Sequence, residues 1–248
     1  MPKAAPIEIK IGWQAVDADR LNQKYAGRNA DDVLRSVLKD GCVGRPVIIS
    51  SFGTESAALL HMAATVDPAV PVLFLDTGKH FPETLQYLEV LRALLKLENL
   101  HVVRPDEELL ARKDEKGLRW SYDPDICCHL RKVLPLESAL QGYDASITGR
   151  KAFQAGTRAE LNFFEADERV TKVNPFAHWT KKDVEEYFRA NDLPRHPLEK
   201  EGYLSIGCAP CTSKVRPDED PRSGRWRGFD KTECGIHEMV RRNKGEPQ

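Results

Sequence analysis

Val47-Ile-Ile-Ser-Ser-Phe-Gly-Thr-Glu-Ser56, followed by Ala57-Ala-Leu-Leu-His-Met-Ala-Ala64, decides the fold. A β-branched run breaks into a loop with one glycine and several hydroxyls, and a helix-forming stretch follows. The pattern recurs: strand Val70–Leu75, loop Asp76-Thr-Gly78, a helix from about Pro82 to Leu95, and strand Leu100–Val103. Asp144–Thr148 then enters Gly149-Arg150, and Val170–Val173 reads as a further strand. Strands alternating with helices predict an α/β fold, a doubly wound, mainly parallel sheet. Ligands of such sheets bind outside the carboxyl ends of the strands, where these glycine-bearing loops fall.

Outward from that centre, residues 13–40 read as helical, with Leu21, Tyr25, Val33, Leu34, Val37 and Leu38 at helical spacing and Gly41 as the stop. Thr180-Lys-Lys-Asp183 opens a helix to about Asn191 with a capping box. Beyond Pro194 the chain is rich in turns. The expected division is an N-terminal helical segment (1–45), a nucleotide-binding α/β domain (46–206) that includes a Cys-Cys helix, and a flexible C-terminal tail (207–248).

Net charge is −1 over 248 residues, so no global field recruits nucleic acid. No apolar run approaches the roughly 18 residues that span a bilayer, and Met1-Pro-Lys-Ala-Ala-Pro6 lacks an apolar stretch behind its lysine. A soluble, cytoplasmic protein is expected, with no membrane and no nucleic-acid partner. Oligomeric state stays open, a homo-oligomer included.

Ser50-Ser-Phe-Gly-Thr-Glu-Ser56 places backbone N–H groups and a helix dipole where an anion is favoured. Alone it also reads as a capped turn, and no Gly-Lys-Ser/Thr follows to make a Walker loop. Together with Asp76-Thr-Gly78 it resembles the nucleotide loops of the adenine nucleotide α-hydrolase superfamily, which includes ATP pyrophosphatases and sulfonucleotide reductases. The pyrophosphatases typically carry Ser-Gly-Gly-x-Asp-Ser, so Ser51-Phe-Gly-Thr-Glu-Ser56 points to the reductase branch. Thr148-Gly-Arg-Lys-Ala-Phe-Gln-Ala-Gly-Thr-Arg158 resembles that branch's arginine loop, and Arg150 and Arg158 suit a phosphate or sulfate fork.

Five of the six cysteines lie in the second half of the chain beside Gly, Pro, Arg and His. In a reducing cytosol such clusters are metal ligands or reactive thiols more often than disulfides. Adjacent Cys127 and Cys128 diverge, which is awkward for one zinc ion and easier for two irons of one cluster; with Cys208 and Cys211 they offer four thiolates. By spacing alone the metal stays open between zinc and iron–sulfur. Cys42, ahead of a core strand, reads as a buried small hydrophobe.

Cys-Cys with Gly202–Thr212, Gly224-Arg-Trp226 and Lys231-Thr-Glu-Cys-Gly-Ile-His237 resembles the assimilatory adenosine 5'-phosphosulfate (APS) reductases of the phosphoadenosine phosphosulfate reductase family. The resemblance spans roughly residues 47–237. It implies a 4Fe-4S cluster on Cys127, Cys128, Cys208 and Cys211, and preference for the substrate without a 3'-phosphate. It implies Cys234 as nucleophile, forming an S-sulfo intermediate that thioredoxin or a similar dithiol reduces, with Lys231 and His237 as catalytic helpers. Implied substrate contacts are Ser50, Ser51, Phe52, Gly53, Glu55 and Ser56; Leu75, Asp76, Thr77 and Gly78; Lys132; Gly149, Arg150, Gln154, Thr157 and Arg158; and Arg222 and Arg225. A thiol near pKa 8.5 is only a few per cent ionised at neutral pH, and Lys231, His237, Arg241 and Arg242 supply positive charge near Cys234 in sequence.

Overall fold

A computed structural model of the chain describes residues 15–154, 158–167, 170–216 and 218–236, with side chains from residue 17. Thr157, His237, Arg241 and Arg242 lie outside the described residues. Helices α1 (Ala15–Lys24) and α2 (Ala30–Leu38) lead into β1 (Pro46–Ser50), α3 (Ser56–Val66), β2 (Val72–Leu75), α4 (Pro82–Leu95) and β3 (Leu100–Val103). Then come α5 (Glu107–Lys113), α6 (Pro124–Cys128), α7 (Leu134–Ala139), β4 (Ala145–Ile147), β5 (Phe164–Glu165), β6 (Thr171–Val173) and α8 (Lys181–Ala190).

The strand order β3-β2-β1-β4-β6-β5 is parallel throughout except for β5 against β6. From β1 the chain winds one way through β2 and β3 and the other way from β4, so the crevice opens at the carboxyl ends of β1 and β4. Alternation along the strands splits the core. Ile48, Val72, Phe74, Ala145, Ile147 and Val173 face the layer that contains α2, α3, α4 and α8. Val47, Leu73 and Leu75 pack on the opposite face with Leu136 of α7 and Leu140. Helix α3 is buried on nearly every side, which fixes its N-terminus beneath the crevice.

One expectation needs correction. The helix over 13–40 is two helices, because Gly27 takes φ +74° and Asn29 caps α2 by accepting a hydrogen bond from the Asp32 N–H at 2.9 Å. Strand β5, only two residues long, pairs antiparallel and carried no readable period. The capping box at α8 forms as expected between Thr180 and Asp183, and Gly41 ends the second helical stretch at φ +65°. Cys42 is half-buried and packs against the core.

Candidate active site

The loop after β1 is shaped by Phe52, which takes φ +49° and turns its ring into the core, 5.5 Å from Phe74 in an edge-on contact. Its side chain therefore faces away from the crevice, and only its backbone can meet a ligand. Glu55 is likewise engaged: its Oε2 accepts from Lys151 Nζ at 2.7 Å and from Gln154 Nε2 at 2.7 Å. Lys151 is 1% exposed and also donates to the Gly149 carbonyl at 2.9 Å. Burial pushes its pKa down while Glu55 opposes the change. Glu55, Lys151 and Gln154 thus clasp the β1 loop to the β4 loop across the switch point. Ser50, Ser51, Gly53 and Ser56 remain with the β1 loop, and the Ser56 N–H bonds the Gly53 carbonyl at 3.1 Å.

After β2, Asp76 accepts from the Gly78 N–H at 3.0 Å and pairs with Arg104 at 3.1 Å. Leu75 buries its side chain beside α7 and uses its carbonyl on His80 Nε2 at 2.8 Å. Thr77, 1% exposed, places Oγ1 3.2 Å from Cys208 Sγ. This loop meets the C-terminal region directly: the Ala209 N–H bonds the Lys79 carbonyl at 2.7 Å, and His80 bridges to Cys208 as in an antiparallel ladder.

Cys127 and Cys128 close α6, whose Asp123 cap accepts from the Ile126 N–H at 3.0 Å. A π-helical turn, His129–Val133, follows and carries Arg131 and Lys132. Arg131 is buried; its Nε and Nη2 reach Asp114 Oδ2 at 3.1 and 2.7 Å, and its Nη1 donates to the Thr77 carbonyl at 2.9 Å. That buried fork ties the Cys-Cys helix to the β2 loop. Burial and then the neighbouring Cys208 push the Cys127 thiol up to about 11, and burial pushes Cys128 to about 12 against the pull of Lys132. Burial also raises Cys211, with Cys208 adding to the effect. Cys208 goes the other way: burial opposes ionisation, yet Lys132, the Thr77 hydroxyl and Arg225 bring its pKa below the ordinary value. Burial works against charge on Lys132, but the thiols of Cys208, Cys234 and Cys128 hold its pKa above the usual range.

The C-terminal region folds back over these groups. The Trp226 N–H bonds the Cys211 carbonyl at 3.0 Å, and the Arg225 guanidinium lies 4.4 Å from the Trp226 ring centre. Gly207 faces the same guanidinium so closely that a Cβ there would lie 2.2 Å from Nη2. Burial and Arg222 lower the pKa of Arg225, while Cys234, Cys208 and Cys211 counteract them. Lys231 pairs with Asp125 of α6 and lies 5.5 Å from the Trp226 ring centre. Glu233 pairs with Arg158 and Arg222, and Cys234 stands within electrostatic reach of Cys128, Lys132 and Arg225. Arg150, within electrostatic reach of Arg158, pairs with Glu165 and donates from Nε to Asn174 Oδ1 at 3.2 Å. Sequence reasoning missed Glu233, Asp114, Arg131 and Lys151, whose partners lie far away along the chain.

The donor set suits an iron–sulfur cluster. All four cysteines are free thiols, buried or half-buried. Arg225 Nε and the Trp226 indole Nε1 beside them are buried without a hydrogen-bond partner among the described residues. Sulfur acceptors would satisfy such N–H donors, which a bare cation cannot do. Among the described residues no three Cys, His, Asp or Glu side chains gather as ligands of one metal ion. Cys127, Cys128, Cys208 and Cys211 would hold such a cluster, which takes four thiolates in all.

Arginines, a half-buried lysine and five thiols lie together beside the loops of a doubly wound sheet, and the fold is of the α/β class. The chain belongs to the phosphoadenosine phosphosulfate reductase family: residues 45–214 match the family's phosphoadenosine phosphosulfate reductase domain. It is 48% identical over 236 residues to the adenosine 5'-phosphosulfate reductase of Chelativorans sp. (strain BNC1), covering 95% of this chain and 94% of that one. It is 53% identical over 189 residues to the adenosine 5'-phosphosulfate reductase of Mesorhizobium japonicum, covering 76% and 74%. Among solved structures, the phosphoadenylyl-sulfate reductase of Candida auris in its phosphate complex superimposes with a TM-score of 0.69 at 28% identity, covering 83% of this chain and 99% of that one. No helix among the described residues is long and apolar enough to cross a membrane.

Proposed function

We propose that this chain is an assimilatory APS reductase that converts adenosine 5'-phosphosulfate to sulfite and AMP through Cys234. The observation that carries the reading is the position of Cys234, within electrostatic reach of Lys132 and Arg225 and next to Glu233, which pairs with Arg158 and Arg222. The substrate's anion and the thiolate repel each other, by on the order of 4 kcal/mol for one pair of charges 4 Å apart at an effective dielectric of 20. Lys132 and Arg225 offset that repulsion. Residues 46–206 then bind the nucleotide, and 207–248 bring the nucleophile.

The Cys234 thiolate attacks the sulfur of the sulfate group; a sulfur–sulfur bond forms, the bond from sulfur to the bridging oxygen breaks, and AMP leaves with that oxygen. A dithiol protein of the thioredoxin kind attacks Cys234 Sγ, and sulfite leaves with the electron pair. The second thiol of the reductant closes its own disulfide, so two electrons pass from the dithiol to sulfur. An external dithiol is required because, once four cysteines are assigned to metal, Cys42 is the other thiol, half-buried against the core.

Cys127, Cys128, Cys208 and Cys211 are proposed to hold a 4Fe-4S cluster. When bound it would cross-link α6 to the C-terminal region and supply fixed charge and sulfur acceptors. Lys132 and Thr77 orient around Cys208, and Lys132 also neutralises charge on the Cys234 side. Preference for APS over its 3'-phosphorylated form is supported by the cluster cysteines and by the names of the relatives. Direct competition between the two nucleotides tests it: faster sulfite release from the 3'-phosphorylated form would reverse the assignment.

A further inference from the structure

The carboxylate of Glu233, adjacent to the nucleophile, occupies the guanidiniums that sequence assigns to the substrate anion. Its Oε1 accepts from Arg158 Nε at 2.9 Å and from Nη2 at 2.6 Å, and its Oε2 lies 3.2 Å from Arg222 Nη2. Only 11% of the Glu233 side chain and 9% of that of Arg158 is exposed. Arg158 is fixed in turn by Gln154, whose Oε1 accepts from Nη1 at 2.7 Å, and Gln154 belongs to the clasp on Glu55. Arg222 takes hold of the next tail residue as well, donating from Nη2 to the Thr232 carbonyl at 2.6 Å.

The tail is therefore gripped at consecutive residues: Lys231 by Asp125, Thr232 by Arg222, and Glu233 by Arg222 and Arg158. Beyond Cys234, Gly235 packs so that a Cβ would lie 3.6 Å from Val133, and Ile236 rests on the apolar cluster beneath α7. A carboxylate in an anion site opposes substrate through like charge. It must therefore contribute something that outweighs that repulsion, and the bond it makes reaches from the tail to both loops of the crevice.

Resting on the reading of Cys234 as the nucleophile, we infer that Glu233 is a positioning residue: through Arg158 and Arg222 it docks the tail so that Cys234 faces the substrate sulfur. The guanidiniums that meet the nucleotide's anion and those that locate the thiol are then the same. The binding of one is registered in the position of the other. Misplacing a reacting group by about 1 Å costs on the order of 100-fold in rate.

The test uses E233Q, which preserves shape and removes charge, and E233D, which preserves charge on a shorter stem. One readout needs no substrate: tryptic cleavage after Lys231, whose side chain is 6% exposed in the docked tail. Cleavage should be about tenfold faster in E233Q than in the wild type, with E233D between them. The second is single-turnover S-sulfonation of Cys234 at saturating APS, which should fall about 10- to 100-fold in E233Q and partly recover in E233D. AMP should bind E233Q no more weakly than the wild type, because a like charge has left the guanidiniums of Arg158 and Arg222. Wild-type cleavage in E233Q would overturn the docking role, as would an unchanged S-sulfonation rate. Tighter AMP binding with unchanged S-sulfonation would make Glu233 a competing anion instead. If wild-type protein is not sulfonated by APS, the nucleophile reading fails, and the cleavage comparison still decides the docking.

Discussion

Replacing Gly207 by alanine should separate activity from stability. An ideal Cβ at this position lies 2.2 Å from Arg225 Nη2, 2.5 Å from Cζ and 2.9 Å from Nη1. Ordinary contact between such atoms is about 3.5 Å, so the guanidinium must retreat by more than about 1 Å. The obstructing atoms are the far end of a long side chain rather than backbone, and the fold can yield there. The stability cost should thus lie at the low end of the roughly 1–3 kcal/mol of overpacking. The retreat nevertheless breaks the stack of Arg225 on Trp226, now at 4.4 Å, and moves its charge away from Cys234. Cys234 S-sulfonation at saturating APS should fall about 10- to 100-fold, on the scale of a 1 Å misplacement. Rapid-quench single turnover gives the rate and thermal unfolding gives the stability. Because both changes act through one guanidinium, Gly207→Ala combined with Arg225→Ala should be no slower than Arg225→Ala alone. Wild-type S-sulfonation in Gly207→Ala, or additive losses in the double variant, would refute the role given to Arg225.

Cys234→Ser should abolish sulfite formation while iron content, measured by metal analysis, stays at the wild-type level; loss of iron would undo the division between ligand and reactive cysteines. Asp114→Ala strands the Arg131 guanidinium in a buried site and should cost about 3–5 kcal/mol of unfolding free energy, read by denaturant titration, with iron lost alongside. His196, 1% exposed, is held by burial at a pKa of about 4, below its ordinary 6.5. Above pH 6.5 it is neutral whether folded or unfolded; as pH falls towards 4 the unfolded chain binds a proton that the folded one excludes, so stability is lost over that window. Between pH 7.5 and 5 the loss should be about 2 kcal/mol, and urea midpoints for His196→Gln should show a correspondingly flatter pH dependence.

Much of the sheet was legible because its strands carry β-branched runs bounded by Gly and Pro. The helix Pro82–Leu95 and the strand Leu100–Val103 stand at their expected limits. The N-terminal helix misread arose because the apolar spacing continues across Gly27, while an Asn29 cap competes with helix continuation. At the site, residue types were readable and orientations were not. Phe52 lies in a nucleotide-loop motif, yet a left-handed backbone sends its ring inward. Glu55 and Gln154 read as ligand groups, and nothing local in the sequence tells that Lys151, far along the chain from Glu55, shares the same carboxylate. The π-helical turn after Cys128 left no mark in the apolar period, although it sets where Arg131 and Lys132 leave the helix. Glu233 was passed over beside a conspicuous cysteine, since nothing local announces that its partners are Arg158 and Arg222.

The central claim, that Cys234 takes the sulfo group from APS, is tested most directly by intact mass and peptide mapping of anaerobically prepared protein exposed to APS without any thiol. The account predicts one sulfonate per chain, on Cys234, with AMP released in equal amount. Folded, iron-loaded protein that leaves Cys234 unmodified would contradict it.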